Sequence, residues 1–366
     1  MTWRWRIKGF RNLDVDVELD ECLTLVVGPN ASGKTSLLEA LYWTAYGRSF
    51  RARSPAVVLS QGHTSAWVHI EWLSSLERIE LQLTTTASKL RYQGQPIAFA
   101  EWRRRWPVLY IGGREWAPLS SRSLWRRKLL DESLLALFPE YQEWRRRYRQ
   151  AWLQRTHALA AGWPEEARHP WDEAFVQAGV KIWEARGYLV RQVREAVRRR
   201  WRRLFPGETL EIQLWSPWIT AWDAPLTSVF QEALRRAEPE EKNTGRCQVG
   251  PHRDDLAIRT AAGSFWDTAS AGQVRSFLIV WADAVAEMAE KLGKPPMLLL
   301  IDDFDAEVDL PRARLILTWL ARRRAILTTH RRFWLRAEDF PGRRIEIRSG
   351  RLIPAPAAGG PSGKPS

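Results

Sequence analysis

A glycine-rich segment followed by Lys and Thr is the part of the sequence whose residue types indicate a chemistry most directly. Residues 28–35 fit the pattern G-x-x-x-x-G-K-[ST], which forms a phosphate-binding loop when it lies between a strand and a helix. Its glycines let backbone N–H groups surround phosphate oxygens, and the helix that follows adds the positive end of its dipole. In such loops the Lys, here Lys34, reaches the β- and γ-phosphates, and the hydroxyl of the following Thr35 binds Mg²⁺. We predict that the nucleotide-binding residues of this segment are Gly28, Pro29, Asn30, Ala31, Ser32, Gly33, Lys34, Thr35 and Ser36.

Two adjacent carboxylates, Asp302 and Asp303, supply a second set of chemical groups. They follow the apolar run Met297–Ile301, which has the length of a buried strand. We expect Asp302 to hold Mg²⁺, directly or through water, and Asp303 to polarise the attacking water. Together with Lys34 they are the predicted catalytic residues, and Thr35 and Asp302 are the predicted metal ligands. Taken alone, the pair also fits an acidic turn after a core strand, but a phosphate loop on the same chain favours the catalytic interpretation.

A third polar segment, with Ser270, Gly272 and Gln273, lies about 30 residues before the paired aspartates. A helix is predicted to follow it, so a hydroxyl, backbone N–H groups and a helix dipole are available to an anion. We predict that these three residues bind nucleotide, although Ser and Gly also serve as ordinary helix caps. Further along the chain, His330 follows a short apolar strand and is either a γ-phosphate sensor or a surface residue.

The elements that must position these groups follow from hydrophobic periodicity. Residues 3–27 read as two strands, and the continuous apolar run Leu23–Val27 favours a buried strand directly before the phosphate loop. A helix is predicted from Lys34 to about Ala45. Further predicted strands are Ala66–Trp72, Ile79–Thr84, Val108–Ile111 and Ala325–Leu327, and further predicted helices are Arg275–Lys291 and Pro311–Arg322.

The character of the sequence changes near residue 115. From there to about residue 204 it is rich in Arg, Trp, Leu and Glu with helical spacing, which predicts long helices in an inserted lobe. We therefore predict a discontinuous head of residues 1–114 and 240–353 and a mainly helical lobe of residues 115–239. Glu238–Thr244 reads as a mobile connector, and residues 354–366, rich in Pro, Gly, Ala and Ser, as a disordered tail.

The net charge of +14 favours a polyanionic partner, either nucleic acid or anionic lipid. Arg supplies most of the 56 basic residues, which suits phosphate binding but also reflects GC-rich coding. The two Cys exclude a disulfide framework and a four-Cys zinc site, and no signal peptide or membrane-length apolar run is present, so we expect a cytoplasmic protein. Candidate phosphate contacts, which would be DNA contacts if the polyanion is DNA, lie in three basic runs, each of which also fits a solvated helix face: Arg103-Arg104-Arg105, Arg145-Arg146-Arg147 and Arg198-Arg199-Arg200.

The order of these motifs resembles that of ABC-type ATPase heads. Within that class, the sequence from about Trp3 to Arg351 resembles the RecF family of bacterial DNA replication and recombinational-repair proteins. Departures are Ala31 where the family usually has Gly, Asp303 where most ABC ATPases have Glu, and the lack of a Q-loop Gln in Val108–Glu115. The resemblance is carried by Gly9-Phe10-Arg11-Asn12, Gly28–Thr35 with Leu38-Glu39-Ala40, Gly47–Arg51, Arg126–Asp131, Leu153-Gln154-Arg155 and Val249–Leu256.

The resemblance implies an α/β fold: an ABC-ATPase head, which is a P-loop NTPase with a mixed sheet and an antiparallel β subdomain, carrying an inserted α-helical lobe. It implies an ATP- and Mg²⁺-dependent homodimer, in which Lys34 and Thr35 of one subunit hold an ATP that Ser270 and Gly272 of the other cap. It also implies slow, DNA-stimulated ATP hydrolysis at gapped or junction DNA, serving recombinase loading with partners of the RecR and RecO type and without a membrane.

Several interpretations remain open from the sequence. The chain could be a nucleotide-gated clamp with negligible turnover, or another ABC-type ATPase such as an SMC-like, OLD-like or transporter protein. The short insert disfavours an SMC-like chain, which needs long coiled-coil arms, and no residues remain for the metal-nuclease domain that an OLD-like chain needs. The family-specific segments and the arginine excess disfavour a transporter subunit. Arg48 and Arg51 could approach nucleotide, DNA or neither. Within Gly250–Asp255, the charged residues Arg253, Asp254 and Asp255 could form a buried ionic network rather than contact a ligand.

Overall fold

The computed structural model describes residues 2–20, 23–52, 54–112, 114–331 and 340–354. These residues form two compact units: one comprises the described residues up to 115 and from 271 onward, and the other comprises Trp116–Ser270. The strands, in chain order, are β1 (Thr2–Phe10), β2 (Leu13–Asp20), β3 (Thr24–Val27), β4 (Ser65–Trp72), β5 (Glu77–Thr84), β6 (Ser88–Tyr92), β7 (Gln95–Pro96), β8 (Val108–Ile111), β9 (Glu211–Trp215), β10 (Asp255–Thr260), β11 (Gly263–Ser264), β12 (Leu298–Ile301), β13 (Arg324–Thr329), β14 (Arg343–Arg348) and β15 (Arg351–Pro354). The helices are α1 (Lys34–Tyr46), α2 (Phe99–Arg105), α3 (Ser123–Leu137), α4 (Tyr141–Ala160), α5 (Glu165–Leu204), α6 (Leu226–Thr244), α7 (Phe265–Thr268), α8 (Ala271–Lys291) and α9 (Leu310–Leu320).

The first unit contains a mixed sheet with the strand order β15-β14-β3-β13-β12-β8. Its five strands from β14 to β8 are parallel, and β15 is antiparallel to β14. Strands β3, β8 and β12 are buried along their whole length, which explains their continuous apolar sequence. Because β3, β13 and β12 are adjacent and parallel, their carboxyl ends meet at one edge of the sheet.

The same unit contains an antiparallel sheet with the order β2-β1-β4-β5-β6-β7. Trp3, Trp5 and Ile7 on β1 are buried and alternate with more accessible residues, as the period-two pattern predicts. The predicted mixed sheet and antiparallel β subdomain are therefore both present.

The second unit is mainly helical and contains α3 to α7. It also contains a three-stranded antiparallel sheet, β11-β10-β9, that the sequence did not reveal. Among the described residues of the whole chain, no helix combines the length and apolarity required to cross a bilayer.

The predicted end of the inserted lobe at residue 239 differs from the observed division at Ser270. The reason is that β10 pairs with β9, which ties the residues that follow α6 to the helical unit. The predicted mobile connector Glu238–Thr244 is also wrong, since it forms the end of α6. Its Glu241 is fully buried and accepts a hydrogen bond of 2.6 Å from Arg155. The predicted disordered tail, apart from Pro354, lies outside the described residues.

Two residues of the family-specific segment Gly250–Asp255, Asp254 and Asp255, belong to an ionic network inside the helical unit, whereas Arg253 is exposed and donates to Gln248. The guanidinium of Arg186 bonds to both Asp131 and Asp254, at 2.9 and 2.8 Å, and Asp254 is fully buried. Asp255 forms a two-pronged pair with Arg126. The structural interpretation is therefore correct for the two aspartates, whose charges are neutralised within the unit.

Candidate nucleotide-binding site

The phosphate loop connects the buried strand β3 to helix α1. Gly28 N–H donates to the carbonyl of Thr329 at 3.2 Å, which fixes the start of the loop to the end of β13. A Cβ atom at Gly28 would lie 2.4 Å from the carbonyl oxygen of Ile347, so the backbone leaves no room for a side chain. Gly33, which precedes α1, has φ of 111°, a conformation that L-residues rarely adopt. Both glycines of the motif are therefore required by the backbone.

Ala31, the departure from the family pattern, has φ of 62° and lies in the left-handed region. A Cβ atom in that region costs roughly 1–2 kcal/mol, because it approaches the following carbonyl oxygen. The loop thus keeps a glycine-like conformation at an alanine.

We expect Ala31→Gly to raise the free energy of unfolding by about 0.5–1 kcal/mol. Relief of the left-handed strain exceeds the roughly 0.4–1 kcal/mol of extra chain entropy that glycine gives the unfolded state. Urea unfolding measures the change. The matched control Ala40→Gly, within α1, should instead lower stability by at least about 1 kcal/mol; a loss at Ala31 as well would contradict the strain argument.

Lys34 lies inside the loop at the start of α1. Its Nζ donates to the carbonyl oxygens of Gly28 and Pro29 at 2.8 and 2.9 Å. Burial lowers the pKa of Lys34, an effect that the charges of Asp303 and Asp302 partly offset. The structure thus brings the three predicted catalytic residues together as a cation facing two carboxylates.

Asp302 connects the phosphate-loop helix to the neighbouring strands. Its carboxylate accepts hydrogen bonds from the Thr35 hydroxyl at 2.7 Å and from the Thr328 hydroxyl at 2.5 Å. Burial, and secondarily the charge of Asp303, raise the pKa of Asp302, so the site favours a nearby positive charge. A carboxylate and two hydroxyls are hard oxygen ligands of the kind that Mg²⁺ prefers.

Asp303 and the buried Arg275 complete this corner of the site. Asp303 has φ of 49°, and its N–H donates to the Thr328 hydroxyl at 2.9 Å. The Arg275 guanidinium, on α8, donates to the carbonyl oxygens of Asp302, of Asp303 at 3.1 Å and of Gly112 at 2.5 Å. Arg275 therefore holds the backbone that carries both carboxylates. Sequence reasoning missed this residue because its role depends on three distant carbonyls.

The buried hydroxyl of Ser32 indicates whether the residues of this loop fit a nucleotide. Its Oγ is buried and, within the described part of the chain, has no hydrogen-bond partner. An unpaired buried hydroxyl costs about 1–3 kcal/mol, which a phosphate oxygen would relieve. With the Lys34 cation and the oxygens of Thr35 and Asp302, the residues present fit a magnesium–nucleotide complex.

The other predicted nucleotide residues lie as follows. Ser270 is exposed and immediately precedes α8, and Gly272 and Gln273 are half-buried in the first turn of that helix. Pro29, Asn30 and Ala31 are exposed at the tip of the phosphate loop, whereas Ser36 is buried in α1. His330 is exposed; at this strand end it is Thr328, not His330, that hydrogen-bonds to Asp302.

Arg51 has a structural partner, the carboxylate of Glu39. Its guanidinium and that of Arg11 both bond to the carboxylate of Glu39, which is fully buried on α1. Burial alone would raise the pKa of Glu39, but hydrogen bonds from Arg11, Arg51 and Ser49 outweigh it, and the pKa is lowered. Arg48 lies 6.0 Å from the ring of Tyr46. The Glu39 cluster anchors the helix that begins with Lys34.

The three predicted DNA-binding runs are not uniform. Arg103 is buried and donates to the carbonyl of Ala45 at 3.0 Å, and Arg200 is buried and donates to that of Ala196 at 3.2 Å, so a DNA contact is the wrong prediction for these two. Because successive helix residues are turned by about 100°, three consecutive positions cannot share one face. The remaining members are exposed or half-buried: Arg104, Arg105, Arg145, Arg146, Arg147, Arg198 and Arg199.

The fold and this site define a class of protein. A buried strand, a phosphate loop and a helix, beside a parallel strand that ends in paired carboxylates, form the head of an ABC-type ATPase. A family model described as an AAA domain matches residues 5–91. The Smc head domain of Pyrococcus furiosus has the same fold, with a TM-score of 0.55, 14% identity and 96% coverage of both chains.

Comparison at the level of whole chains is more specific. The DNA replication and repair protein RecF of Deinococcus radiodurans is 32% identical over 84% of this chain and 84% of its own length. RecF of Gloeobacter violaceus is 30% identical over 96% of this chain and 98% of its own length. A solved structure of the recombination mediator protein RecF with ATP, in the RecFOR pathway, covers 96% of this chain and 97% of its own, with a TM-score of 0.80 and 20% identity. The chain belongs to the RecF family of DNA replication and repair proteins.

Proposed function

We propose that the chain is an ATP-dependent, dimerising, DNA-binding ATPase that acts in DNA repair and replication in the cytoplasm. The observation that carries the proposal is the 2.7 Å hydrogen bond between the Thr35 hydroxyl and the Asp302 carboxylate. It supports the proposal because it joins the phosphate-loop helix to the carboxylate strand, the two elements whose oxygens would hold the Mg²⁺ of a bound nucleotide.

Each residue then has a defined role. Lys34 and the backbone N–H groups of the loop bind the phosphates, and Thr35 and Asp302 hold Mg²⁺. When bound, the ion neutralises phosphate charge. Asp303 orients and polarises the attacking water, and Arg275 keeps the backbone of both aspartates in place as a positioning residue.

The segment at the start of α8, where Ser270 is exposed, supports the dimer. Ser270, Gly272 and Gln273 offer a hydroxyl and helix N-terminal N–H groups, which suit the γ-phosphate of an ATP bound to a second subunit. ATP would then hold two heads together, and hydrolysis would release them. DNA is the proposed polyanion, bound as gapped duplex or junction, and mediators of the RecR and RecO type are the proposed partners in recombinase loading.

Ser270→Arg tests this arrangement without altering the phosphate loop. We expect the variant to bind ATP with wild-type affinity, because Lys34 and Thr35 are intact, yet to remain a single chain in ATP, because the added side chain blocks the facing nucleotide. Fluorescent-nucleotide titration and light scattering measure the two properties. Dimerisation of Ser270→Arg in ATP would show that this segment does not cap the nucleotide.

A nucleotide-gated clamp with negligible turnover is the second candidate. It is favoured by Asp303, whose carboxylate is one methylene shorter than the Glu usual in ABC ATPases and reaches less far toward a water. Steady-state phosphate release with and without DNA separates the two candidates: turnover that DNA increases supports the slow ATPase, and release no faster than the uncatalysed reaction supports the clamp.

A further inference from the structure

We propose that the C-terminal half of α5 is a binding surface for the phosphate backbone of duplex DNA. We name this surface the α5 stripe. This inference rests on the DNA-binding part of the proposed function and locates it on the helical unit. The residues of the stripe are Arg191, Arg194, Arg198, Arg199, Arg202 and Arg203.

The six arginines share one side of the helix. At about 100° per residue they fall within roughly half of the helix circumference, and at 1.5 Å per residue they extend over about 18 Å. The opposite side is buried in the core of the helical unit through Val193, Val197, Trp201 and Leu204. The buried side fixes the helix, so the arginines must face away from the core.

The helix segment that carries the stripe has few acidic residues of its own. Glu195 is its one acidic residue between positions 191 and 203, and it contacts Arg194 at 3.8 Å and Arg198 at 2.8 Å. Arg191, Arg202 and Arg203 are exposed and form no ion pair within the described residues. On α4, by contrast, Glu143 pairs with both Arg146 and Arg147. The α5 stripe is thus a site of net positive charge.

The residue types favour nucleic acid over an acidic protein. All the cations are Arg, whose planar guanidinium binds phosphate oxygens in a bidentate manner. The other exposed residues between 191 and 203 are Gln192 and Glu195, so the helix segment itself contributes none of the apolar anchors that protein interfaces use.

The stripe also favours duplex over single-stranded DNA. Single strands are usually bound by exposed aromatic rings that stack on the bases. The aromatic residue within the stripe's sequence, Trp201, is fully buried and stacks on Phe205 at 4.2 Å. The segment of α5 that carries the arginines presents no accessible ring of its own, and a row of arginines matches the regular backbone of a duplex and carries no base preference.

The test is the triple variant Arg191→Gln, Arg202→Gln, Arg203→Gln, with duplex binding in ATP measured by fluorescence anisotropy over a range of salt concentrations. We expect at least a tenfold loss of affinity at 0.15 M salt, because each lost phosphate contact removes about 0.9 from the magnitude of the negative slope of log K against log salt. The slope should therefore become less steep by about 2 to 3. Thermal unfolding and ATP binding should match the wild type, since the three side chains are exposed.

The matched control removes the same charge from α6, where each cation is paired with Glu232 or Glu238: Arg235→Gln, Arg236→Gln, Lys242→Gln. This variant should bind duplex DNA nearly as the wild type does. If the two triple variants lose equal affinity for duplex DNA, the loss results from the change in net charge alone, and the proposal is overturned.

The remaining outcomes are also decisive. If the α5 variant keeps the wild-type affinity and salt slope, the stripe does not bind duplex DNA, and an acidic protein becomes the alternative partner. A loss of affinity confined to single-stranded DNA would also overturn the duplex assignment. If the wild-type protein itself fails to bind duplex DNA in ATP, the DNA-binding part of the proposed function fails, and the stripe with it. That result differs from failure of the stripe alone, in which the wild type binds and the α5 variant is unchanged.

Discussion

Replacement of Lys34 by Met is expected to weaken ATP binding about 100-fold or more. The bound ATP would lose the charge-assisted hydrogen bonds that the Lys34 ammonium donates to two phosphates. Each is worth about 1.5–3 kcal/mol, and 1.4 kcal/mol corresponds to a tenfold change in affinity. The effect on folding should be small, because two changes oppose each other. Burial lowers the pKa of Lys34, so a neutral side chain removes the cost of burying the charged form, but the carbonyls of Gly28 and Pro29 lose the hydrogen bonds that Nζ donates.

Isothermal calorimetry with a slowly hydrolysed ATP analogue measures the affinity, and thermal unfolding without nucleotide measures the fold. Lys89→Met, at an exposed lysine of the same unit, is the matched control and should bind nucleotide as the wild type does. An affinity within threefold of wild type for Lys34→Met would exclude this loop as the principal phosphate site.

Asp303→Asn is expected to lower the rate of ATP hydrolysis by about 10²–10⁴ and to produce a long-lived dimer in ATP. The amide has nearly the shape of the carboxylate but cannot accept a proton from the attacking water. The substitution also suits the backbone, because φ of 49° at this position is a conformation in which Asn is as readily found as Asp. ATP binding through Lys34 and Thr35 should persist.

Single-turnover hydrolysis and the dissociation rate of the dimer after dilution measure the two effects. Asp309→Asn is a suitable control, because Asp309 is an exposed helix cap whose backbone hydrogen bond an Asn can also accept. Were Asp303→Asn to hydrolyse ATP at the wild-type rate, another group would have to activate the water. If hydrolysis stopped but the dimer dissociated as before, hydrolysis would not be the release step.

The parts of the site that the sequence predicts are those encoded locally. Gly28, Gly33 and Lys34 belong to one continuous segment whose spacing follows from its geometry. Asp302 and Asp303 follow a strand that is buried along its whole length, so their place at its end could be predicted as well. Parallel pairing of β3, β13 and β12 then brings these local features to one edge.

The parts that the sequence does not predict depend on tertiary contacts. Arg275 reads as one more arginine of a helix until three carbonyls from distant segments meet its guanidinium. The polar stretch around Glu241 reads as a connector because its buried partner, Arg155, is 86 residues away. In contrast, burial of Arg103 and Arg200 has a local signal, since helical periodicity turns one member of an arginine triplet away from the other two.

The family resemblance and the surface of helix α5 indicate different parts of the helical unit. The resemblance draws attention to the Gly250–Asp255 segment, whose aspartates are neutralised inside the helical unit. The α5 stripe belongs to none of the segments that carry the resemblance. The sequence indicates Arg198 and Arg199 as candidate contacts, but the stripe as a whole can be recognised only when burial of Val193, Val197 and Trp201 shows which side of α5 faces outward.

The central claim is that ATP in the Lys34–Asp302 site holds two copies of the chain together. Light scattering of the wild-type protein without nucleotide, with ADP and with ATP tests it most directly. We predict the mass of one chain in the first two conditions and of two chains in ATP with Mg²⁺. The mass of one chain at saturating ATP, or of two chains in all three conditions, would contradict the claim.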